Sequence, residues 1–243
     1  IAPDHIGMGL SSTPPDDAYS YTLASRIDDL EALLDARGVQ RDITLVVHEW
    51  GGMIGLGYAA RHPDRIRRLV MLITAAFHLP DGQELHKSLR PVRTRFLGPF
   101  LVRGLNAFSR VAVDRCSVRP LSPGARRAYL EPYNNWKNRL AVLRFVEDIP
   151  IDPGDRAYDV LTQIDEGLSR FRDLPVLICW GMQDYVFDGG FLNEWIRRLP
   201  DAEVHRYENA GHFILEDVGQ AVSEVVRAFL HQPSPTAALD SNA

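Results

Sequence analysis

Near both of its ends, the chain alternates between short apolar runs and segments whose apolar residues have helical spacing. Three predominantly apolar runs, typical of strands covered on both faces, occupy residues 43–47, 68–74 and 176–180, and a fourth run, 203–207, alternates. Helical spacing occurs at residues 21–37, 52–61, 191–199 and 221–230. This order predicts an α/β fold with a mostly parallel sheet and helices on both faces. Residues 1–4 resemble the end of a further strand.

The middle of the chain lacks this alternation. No strand-like run occurs between residues 75 and 174, and three amphipathic stretches there, 101–113, 125–146 and 158–171, predict helices. We therefore expect a helical cap at 75–174, inserted into a core made of 1–74 and 175–230. The segment 231–243 is polar and Pro-rich, and we expect it to be disordered.

Composition narrows the class of protein. The 243 residues are 45% hydrophobic and 24% charged, as in ordinary globular proteins. A net charge of −5 gives no reason to expect nucleic acid or an anionic membrane surface as a partner, and no apolar run is long enough to span a membrane. Cys116 and Cys179 are too few for a disulfide framework and favour the reducing cytoplasm.

Arginine is dense in the predicted cap. This can be a solvated helix surface or a docking face for another protein or an acidic carrier, and both interpretations remain open. The residues are Arg90, Arg93, Arg95, Arg103, Arg110, Arg115, Arg119, Arg126, Arg127, Arg139 and Arg144.

The stretch VVHEWGG, residues 46–52, joins a predicted strand to a predicted helix. This is the pattern of a nucleophile elbow, which holds one side chain above the sheet beside a helix N-terminus. Glu49 occupies that position, and we expect Gly51 to be required because the backbone doubles back there. No G-x-S-x-G occurs, which disfavours a serine hydrolase, and Gly52 stands where a zinc motif H-E-x-x-H needs histidine.

Two further candidates follow predicted strands. Asp184 lies in WGMQD and His212 lies in ENAGHFILED, so nucleophile, acid and histidine stand in the order of a hydrolase triad. In such a triad His212 activates water, Asp184 holds the imidazole and residue 49 forms the covalent bond. Asp188 is a competing acid. Taken singly, Asp184 could be a cap or turn residue, and His212 a hydrogen-bonded turn residue.

These motifs resemble the α/β-hydrolase superfamily, specifically its haloalkane-dehalogenase-like and epoxide-hydrolase-like branch. The likeness lies in APDHIGMGLSS, WGG, RHPDRIRRLVMLITAAF, CWGMQD and AGHFILED, which span nearly the whole core. The predicted cap carries a narrower likeness. Its stretch RPLSPGARRAYLEPYNNWKNRLAVLRFVEDIPIDPGD resembles the β-lactone decarboxylases of bacterial long-chain olefin biosynthesis.

The resemblance implies a carboxylate nucleophile that attacks a carbon of the substrate and forms an ester. His212 would act as base on the water that cleaves this ester, and no cofactor or metal is implied. Trp50 would direct its indole N–H at a leaving halide in a dehalogenase, or else be an aromatic packed under the cap. The narrower likeness favours decarboxylation of a β-lactone to an alkene. The alternatives are haloalkane dehalogenation, epoxide hydrolysis with Tyr129 and Tyr133 as acids, and a silent binding protein.

Two departures from the branch concern its beginning and its nucleophile. The strands and the oxyanion-hole loop that precede IAPDH in the branch are not in this chain, so we expect the natural protein to continue upstream. The branch normally carries Asp at the elbow, whereas Glu49 is one methylene longer. A displacement of about 1 Å at a reacting atom costs roughly 10²-fold in rate, so Glu49 marks either a reshaped pocket or a slowed enzyme.

Overall fold

The computed structural model describes residues 1–80, 82–84, 87 and 89–232. Its sheet has four parallel strands in the spatial order β1-β2-β3-β4. They are β1 Ile43–Glu49, β2 Ile66–Thr74, β3 Val176–Gly181 and β4 Glu203–Tyr207. Because the strands are parallel, their carboxyl ends meet at one edge, where α/β sheets place their sites. The predicted parallel α/β sheet is confirmed.

Helices connect these strands. Those outside the middle region are α1 Leu23–Ala36, α2 Trp50–Arg61, α9 Gly189–Arg198 and α10 Ile214–His231. Between β2 and β3 the described residues form α3 Leu89–Val92, α4 Leu97–Pro99, α5 Ala107–Arg115, α6 Pro123–Leu130, α7 Leu140–Glu147 and α8 Tyr158–Gly167. A π-helical turn, Phe100–Gly104, joins α4 to α5. No described residue between the two strands is in a strand, and the cap boundaries at 75 and 174 stay a prediction.

The two central strands are the most deeply buried part of the sheet. Every residue of β3 is buried, and so is every residue of β2 except Arg67. Met71 and Ile178 are paired across the two strands and have no exposed surface. Burying a side chain of this size contributes about 1.5–3 kcal/mol. The loops at the carboxyl edge therefore stand on a tightly packed base.

A buried ion pair ties α1 to the end of α7. Arg26 lies 3.8 Å from Asp148, and both side chains are almost wholly inaccessible. Asp148 also accepts a hydrogen bond from the Leu23 N–H at 2.6 Å. Burial raises the pKa of Asp148 to about 6, against the opposing effects of Leu23 and Arg26. Removing one partner would leave a buried unpaired charge, which typically costs about 3–5 kcal/mol.

A second link joins the residues after α5 to the start of α10. The Phe213 N–H donates to the Cys116 carbonyl oxygen at 2.7 Å. The Asp217 carboxylate accepts from the N–H groups of Val118 and Arg119, at 3.0 and 3.2 Å. Backbone groups of the middle region are thus fixed to the segment that begins α10.

Three predicted elements are wrong in detail. Residues 1–4 form no strand, because none of the four described strands pairs with them. The last helix begins at Ile214 rather than 221, and a kink at Val218 (φ −140°, ψ 30°) breaks the spacing on which the prediction relied. The stretch 125–146 divides into α6, a 3₁₀ turn and α7, because Pro132 has no N–H to continue a helix.

Within the described ranges, no helix is both long and apolar enough to cross a bilayer. Residues 233–243 of the expected disordered tail lie outside the described residues, while His231 ends α10. Several cap arginines form ion pairs within the chain. These pairs are Arg90–Glu84, Arg93–Asp155, Arg126–Asp114, Arg144–Asp16 and Arg144–Glu147.

Candidate active site

Glu49 ends β1 in a backbone conformation that side-chain-bearing residues rarely adopt, with φ 52° and ψ −123°. Such a conformation costs roughly 1–3 kcal/mol and persists only where its surroundings fix it. The Thr74 hydroxyl donates to the Glu49 carbonyl oxygen, and the Trp50 N–H donates to the Glu49 carboxylate. Helix α2 begins at Trp50, so the carboxylate lies at a helix N-terminus, which favours an anion.

Gly52 is the residue of the elbow at which the backbone of α2 comes closest to the end of β2. A Cβ atom at Gly52 would lie 1.9 Å from Thr74 Oγ1 and 2.9 Å from the Ala75 carbonyl oxygen. A Cβ atom at Gly51 would meet only the Val47 Cβ, at an ordinary 3.7 Å. The expectation that Gly51 is the required glycine is therefore wrong. The steric constraint arises where α2 crosses the end of β2, rather than within the turn itself.

Asp184 and His212 meet between the loops that follow β3 and β4. His212 Nδ1 lies 2.9 Å from Asp184 Oδ2, and both residues are buried. The Asp184 carboxylate also accepts hydrogen bonds from the N–H groups two and three residues further on, at 2.7 and 3.2 Å. Burial alone lowers the pKa of His212. The hydrogen bond and charge of Asp184, with a smaller effect of Glu49, outweigh burial and leave this pKa raised.

The carboxyl group of Glu49 lies deep in the protein, although its residue surface is only partly covered because it lines a cavity. Burial raises the pKa of Glu49, while the charge of His212 and the Trp50 N–H act in the opposite direction. Glu49 and His212 thus each stabilise the charged form of the other. A carboxylate with little solvation, beside an imidazole that can carry a positive charge, is suited to attack an electrophilic carbon.

His48 is a site residue that the sequence arguments missed. Its Nε2 lies 2.9 Å from the His212 carbonyl oxygen, which can only accept, so this nitrogen carries the proton. Burial lowers the pKa of His48 to about 4, and the charge of His212 adds to the effect. A neutral His48 therefore holds the backbone of His212. Its place at the carboxyl end of β1, one residue before Glu49, is the signal that could have found it.

Trp50 packs against the middle region. Its ring centroid lies 5.0 Å from that of Phe145 in an edge-to-face arrangement. The Arg26 guanidinium carbon lies 3.6 Å from the Phe145 centroid and 5.9 Å from that of Trp50. Trp50 also lines the cavity beside Glu49. The packing role expected for Trp50 is observed, and its role toward a leaving group stays a prediction.

A cavity of about 1280 Å³ opens at these side chains. Glu49, Trp50 and His212 lie in its wall. The middle region contributes apolar residues to the wall, including Val92, Phe108, Val142, Phe145 and Val146. An apolar cavity with few polar groups suits an apolar substrate whose reacting part is held at the polar end.

Tyr129 and Tyr133 also line the cavity. The Tyr129 hydroxyl donates to Glu216 Oε1 at 2.8 Å, and the Tyr133 hydroxyl accepts from the Gly9 N–H at 3.4 Å. Burial raises the pKa of both phenols, that of Tyr129 to about 12 with the Glu216 carboxylate adding to the effect. The proton of Tyr129 is thus already engaged, and the role of either tyrosine in opening an epoxide stays a prediction.

Asp188 does not join the candidate pair. Its carboxylate accepts the Gly190 N–H at 2.8 Å and so caps the start of α9. Among the described residues, no group of three or more His, Cys, Asp or Glu side chains could hold a metal ion. The triad assignment of Glu49, Asp184 and His212 stays a prediction. Asp184 and His212 are joined by a hydrogen bond, whereas Glu49 and His212 interact through their charges.

The chain matches the family model of the alpha/beta hydrolase fold over residues 1–217. It is 53% identical over 234 residues to a cis-3-alkyl-4-alkyloxetan-2-one decarboxylase of Shewanella oneidensis, which covers 95% of this chain and 73% of that protein. A protein of the same name from Xanthomonas campestris is 45% identical over 237 residues, or 96% of this chain and 79% of that protein. The crystal structure of a haloalkane dehalogenase from Bradyrhizobium elkani has a TM-score of 0.81 at 25% identity, over 99% of this chain and 81% of that one. The resemblance drawn from the motifs is confirmed, and this chain belongs to the α/β-hydrolase fold family.

Proposed function

We propose that this protein converts a β-lactone with two alkyl substituents into an alkene and carbon dioxide, with Glu49 as its nucleophile. An oxetan-2-one is a four-membered β-lactone, so the substrate class is the one named for the relatives. The observation that carries this choice is the 53% identity to such a decarboxylase across nearly the whole chain. The apolar cavity beside Glu49 supports it, because two alkyl chains need apolar walls.

The first step is attack by a Glu49 carboxylate oxygen on the alkyl-bearing ring carbon that is bonded to the ring oxygen, not on the carbonyl carbon. The bond between that carbon and the ring oxygen breaks, and its electron pair stays on the oxygen. The product is an ester between Glu49 and the substrate, which now carries a free carboxylate on the neighbouring carbon. The strain of the four-membered ring is released in this step, so the ring itself supplies driving force.

The second step releases both products. The bond between the substrate and its carboxylate breaks, carbon dioxide leaves, and the electron pair forms the carbon–carbon double bond. Formation of that bond expels Glu49 as a carboxylate, so the nucleophile is regenerated. The two steps consume no water and move no proton overall.

His212 and Asp184 act here through charge. The positive charge of His212 opposes the rise that burial causes in the pKa of Glu49, which makes Glu49 a better leaving group in the second step. Asp184 keeps the imidazole protonated and oriented, because its hydrogen bond and charge raise the pKa of His212. His48 fixes the same residue through its carbonyl oxygen.

The test is turnover of a synthetic cis-3,4-dialkyl-oxetan-2-one that carries a labelled carbonyl carbon. We expect equal amounts of alkene and labelled carbon dioxide, measured by gas chromatography with mass detection. Glu49→Gln should form neither product, whereas the matched change Glu208→Gln on the surface should leave turnover unaltered. Formation of the β-hydroxy acid without alkene would contradict the proposal, because it would show hydrolysis of the lactone.

Haloalkane dehalogenation is the second candidate. Trp50, which follows Glu49 and lines the same cavity, supports it through an indole N–H available near a leaving halide. That reaction needs neutral His212 to activate water, whereas the decarboxylation favours the imidazolium. Halide release from a 1-haloalkane in the same preparation measures this activity. If neither substrate reacts, the protein is a silent member of its family that binds rather than converts.

We also propose the cytoplasm as the compartment. Cys116 and Cys179 are both buried and form no disulfide with each other. Chains with unpaired cysteines are typical of a reducing compartment. Cell fractionation tests this, and recovery of the protein with extracytoplasmic marker enzymes would contradict it.

A further inference from the structure

A patch of large apolar side chains is exposed on the outer face of the segment from α3 to the π-helical turn. The patch, called here the aromatic patch, consists of Phe96, Leu97, Phe100 and Trp136. Phe96 is 85% exposed, Phe100 57% and Trp136 52%. Single exposed apolar side chains are common on soluble proteins, but a contiguous cluster of them marks a site of interaction.

The arrangement of these side chains is that of one helical stripe. Phe96 and Phe100 are four residues apart across α4, and residues four apart lie on the same side of a helix. The next position in this series is Gly104, whose Cβ position would lie 3.5 Å from the Phe100 ring and 3.9 Å from the Trp136 ring. Trp136 therefore extends the stripe beyond Phe100. The patch is continuous rather than a set of isolated side chains.

The charge of this segment is opposite to that of the whole chain. Residues 87–110 carry six cationic side chains and no acidic one, whereas the net charge of the protein is −5. Two of the six, Arg90 and Arg93, form ion pairs with Glu84 and Asp155, so the excess positive charge comes from the others, chiefly Arg95 and Arg103. The Arg103 guanidinium lies 4.4 Å from the Trp136 ring centroid, and that of Arg95 lies 5.7 Å from the Phe96 ring centroid. Cations are thus placed among the aromatics. Aromatic side chains beside arginines are the combination that binds the interface of an anionic bilayer.

The opposite face of the same segment meets the cavity. Leu89, Val92 and Leu101 lie in the cavity wall. Val92 and Val102 also pack with Val142, Leu143 and Val146 in a small apolar cluster. One segment therefore has an inner face turned to the cavity and an outer face of exposed aromatics and cations.

We propose that the aromatic patch docks this protein on the surface of an anionic lipid bilayer, with the segment 89–104 at the interface. The rings of Phe96, Phe100 and Trp136 enter the boundary between headgroups and acyl chains, and Arg95 and Arg103 contact lipid phosphates. The net charge of −5 gives no reason to expect such a partner, but a net charge does not describe how charges are distributed over the surface. This inference does not depend on the proposed decarboxylation.

The test uses the full chain with vesicles of phosphatidylcholine alone or of equal parts phosphatidylcholine and phosphatidylglycerol. We expect co-sedimentation with the anionic vesicles, weak binding to the neutral ones, and release by about 1 M salt, at which charges are screened within roughly 3 Å. The double variant F96S/F100S should bind at least about tenfold more weakly, given what burial of a Phe contributes. R95S/R103S should weaken binding by a similar factor.

Two features of the chain sharpen this experiment. Leu230 is also exposed, but it lies near the end of α10, next to the amino ends of the strands, so Leu230→Ser is a matched control that should bind like the parent. Trp180 and Trp195 are fully buried and Trp50 lies in the cavity wall, so a blue shift of fluorescence on vesicle binding should come mainly from the exposed Trp136 and vanish in Trp136→Phe. No binding to anionic vesicles, or equal binding by F96S/F100S, would overturn the proposal. Binding to a protein partner alone would do the same. Vesicle binding without lactone turnover would uphold it while refuting the proposed function.

Discussion

Replacing Glu49 by Asp and by Gln tests the nucleophile in two opposite ways. Glu49→Asp removes one methylene and withdraws the carboxylate by about 1–1.5 Å. In the structure the longer side chain is bent back onto the Trp50 N–H. The shorter Asp side chain keeps its carboxylate above the turn and has one fewer rotatable bond whose freedom is lost on binding. We expect kcat on a β-lactone to rise by roughly 10²-fold, the effect of a correction of about 1 Å at a reacting atom.

Glu49→Gln should abolish turnover and stabilise the fold. Burial raises the pKa of Glu49 above its unfolded-state value, so the wild-type protein loses stability as pH rises through the folded-state pKa. Each unit of that difference costs about 1.4 kcal/mol at higher pH, and each kcal/mol moves Tm by about 2–4 °C in a chain of this size. The neutral amide escapes this loss. The gap in Tm between Glu49→Gln and wild type should therefore be near zero at acid pH and widen toward neutrality.

The assays are initial rates of alkene formation for the three forms and thermal unfolding followed by circular dichroism across the acid-to-neutral range. Glu208→Asp provides the control for the Glu-to-Asp change at an exposed position. Lower activity in Glu49→Asp would mean that the pocket has been reshaped around the longer side chain. Equal activity in the Glu, Asp and Gln forms would refute residue 49 as the nucleophile. The silent-binding alternative would then replace the proposed function.

Three further changes probe the rest of the site. Asp184→Asn should reduce kcat by at least about 10²-fold, because the imidazole loses its charge partner. Asp188→Asn should only weaken the cap of a helix and leave kcat within about twofold. If Asp188→Asn has the larger effect, Asp188 is the acid of the triad. His212→Ala should strongly lower kcat on a β-lactone, because the site loses its positive charge, while leaving the circular dichroism spectrum unchanged. With a haloalkane it should abolish turnover, which needs water attack, and trap an ester seen as added mass on the peptide with residue 49. Full turnover of both substrates would exclude the triad. Gly52→Ala should lower stability by about 2 kcal/mol or more in urea unfolding, because its methyl group would overlap neighbouring atoms, while Gly51→Ala should be nearly neutral; equal effects would mean that the elbow relaxes.

The sequence predicted those elements whose formation depends on residues close together in the chain. The strands β1 and β3 were recognisable because strands buried on both faces need continuous apolar runs, and these runs lie in the sequence itself. The order of Glu49, Asp184 and His212 was visible for a similar reason, since each residue lies at the carboxyl end of a strand or within five residues after it. The first turns of α10 were missed, because the kink at Val218 interrupts the helical spacing.

The missed features depend on contacts between distant residues. His48 has a role only because its ring reaches the carbonyl oxygen of a residue 164 positions away, which no local pattern encodes. Likewise, Gly52 rather than Gly51 is constrained because α2 crosses Thr74 at the end of a different strand. Sequence spacing shows that small residues are needed near an elbow, but only the packing of the next strand decides which of them has no room for a methyl group.

Exchange of the middle region between relatives by recombination would alter more than the shape of the cavity. The Phe213 N–H and the Asp217 carboxylate grip backbone groups at Cys116, Val118 and Arg119, about a hundred positions earlier in the chain. If the middle region of another protein places those backbone groups differently, Phe213 must move with them, and Phe213 directly follows His212. Residues 116–119 and 211–217 should therefore come from the same parent protein. A chimera that takes them from different parents would gain a new substrate pocket but displace His212.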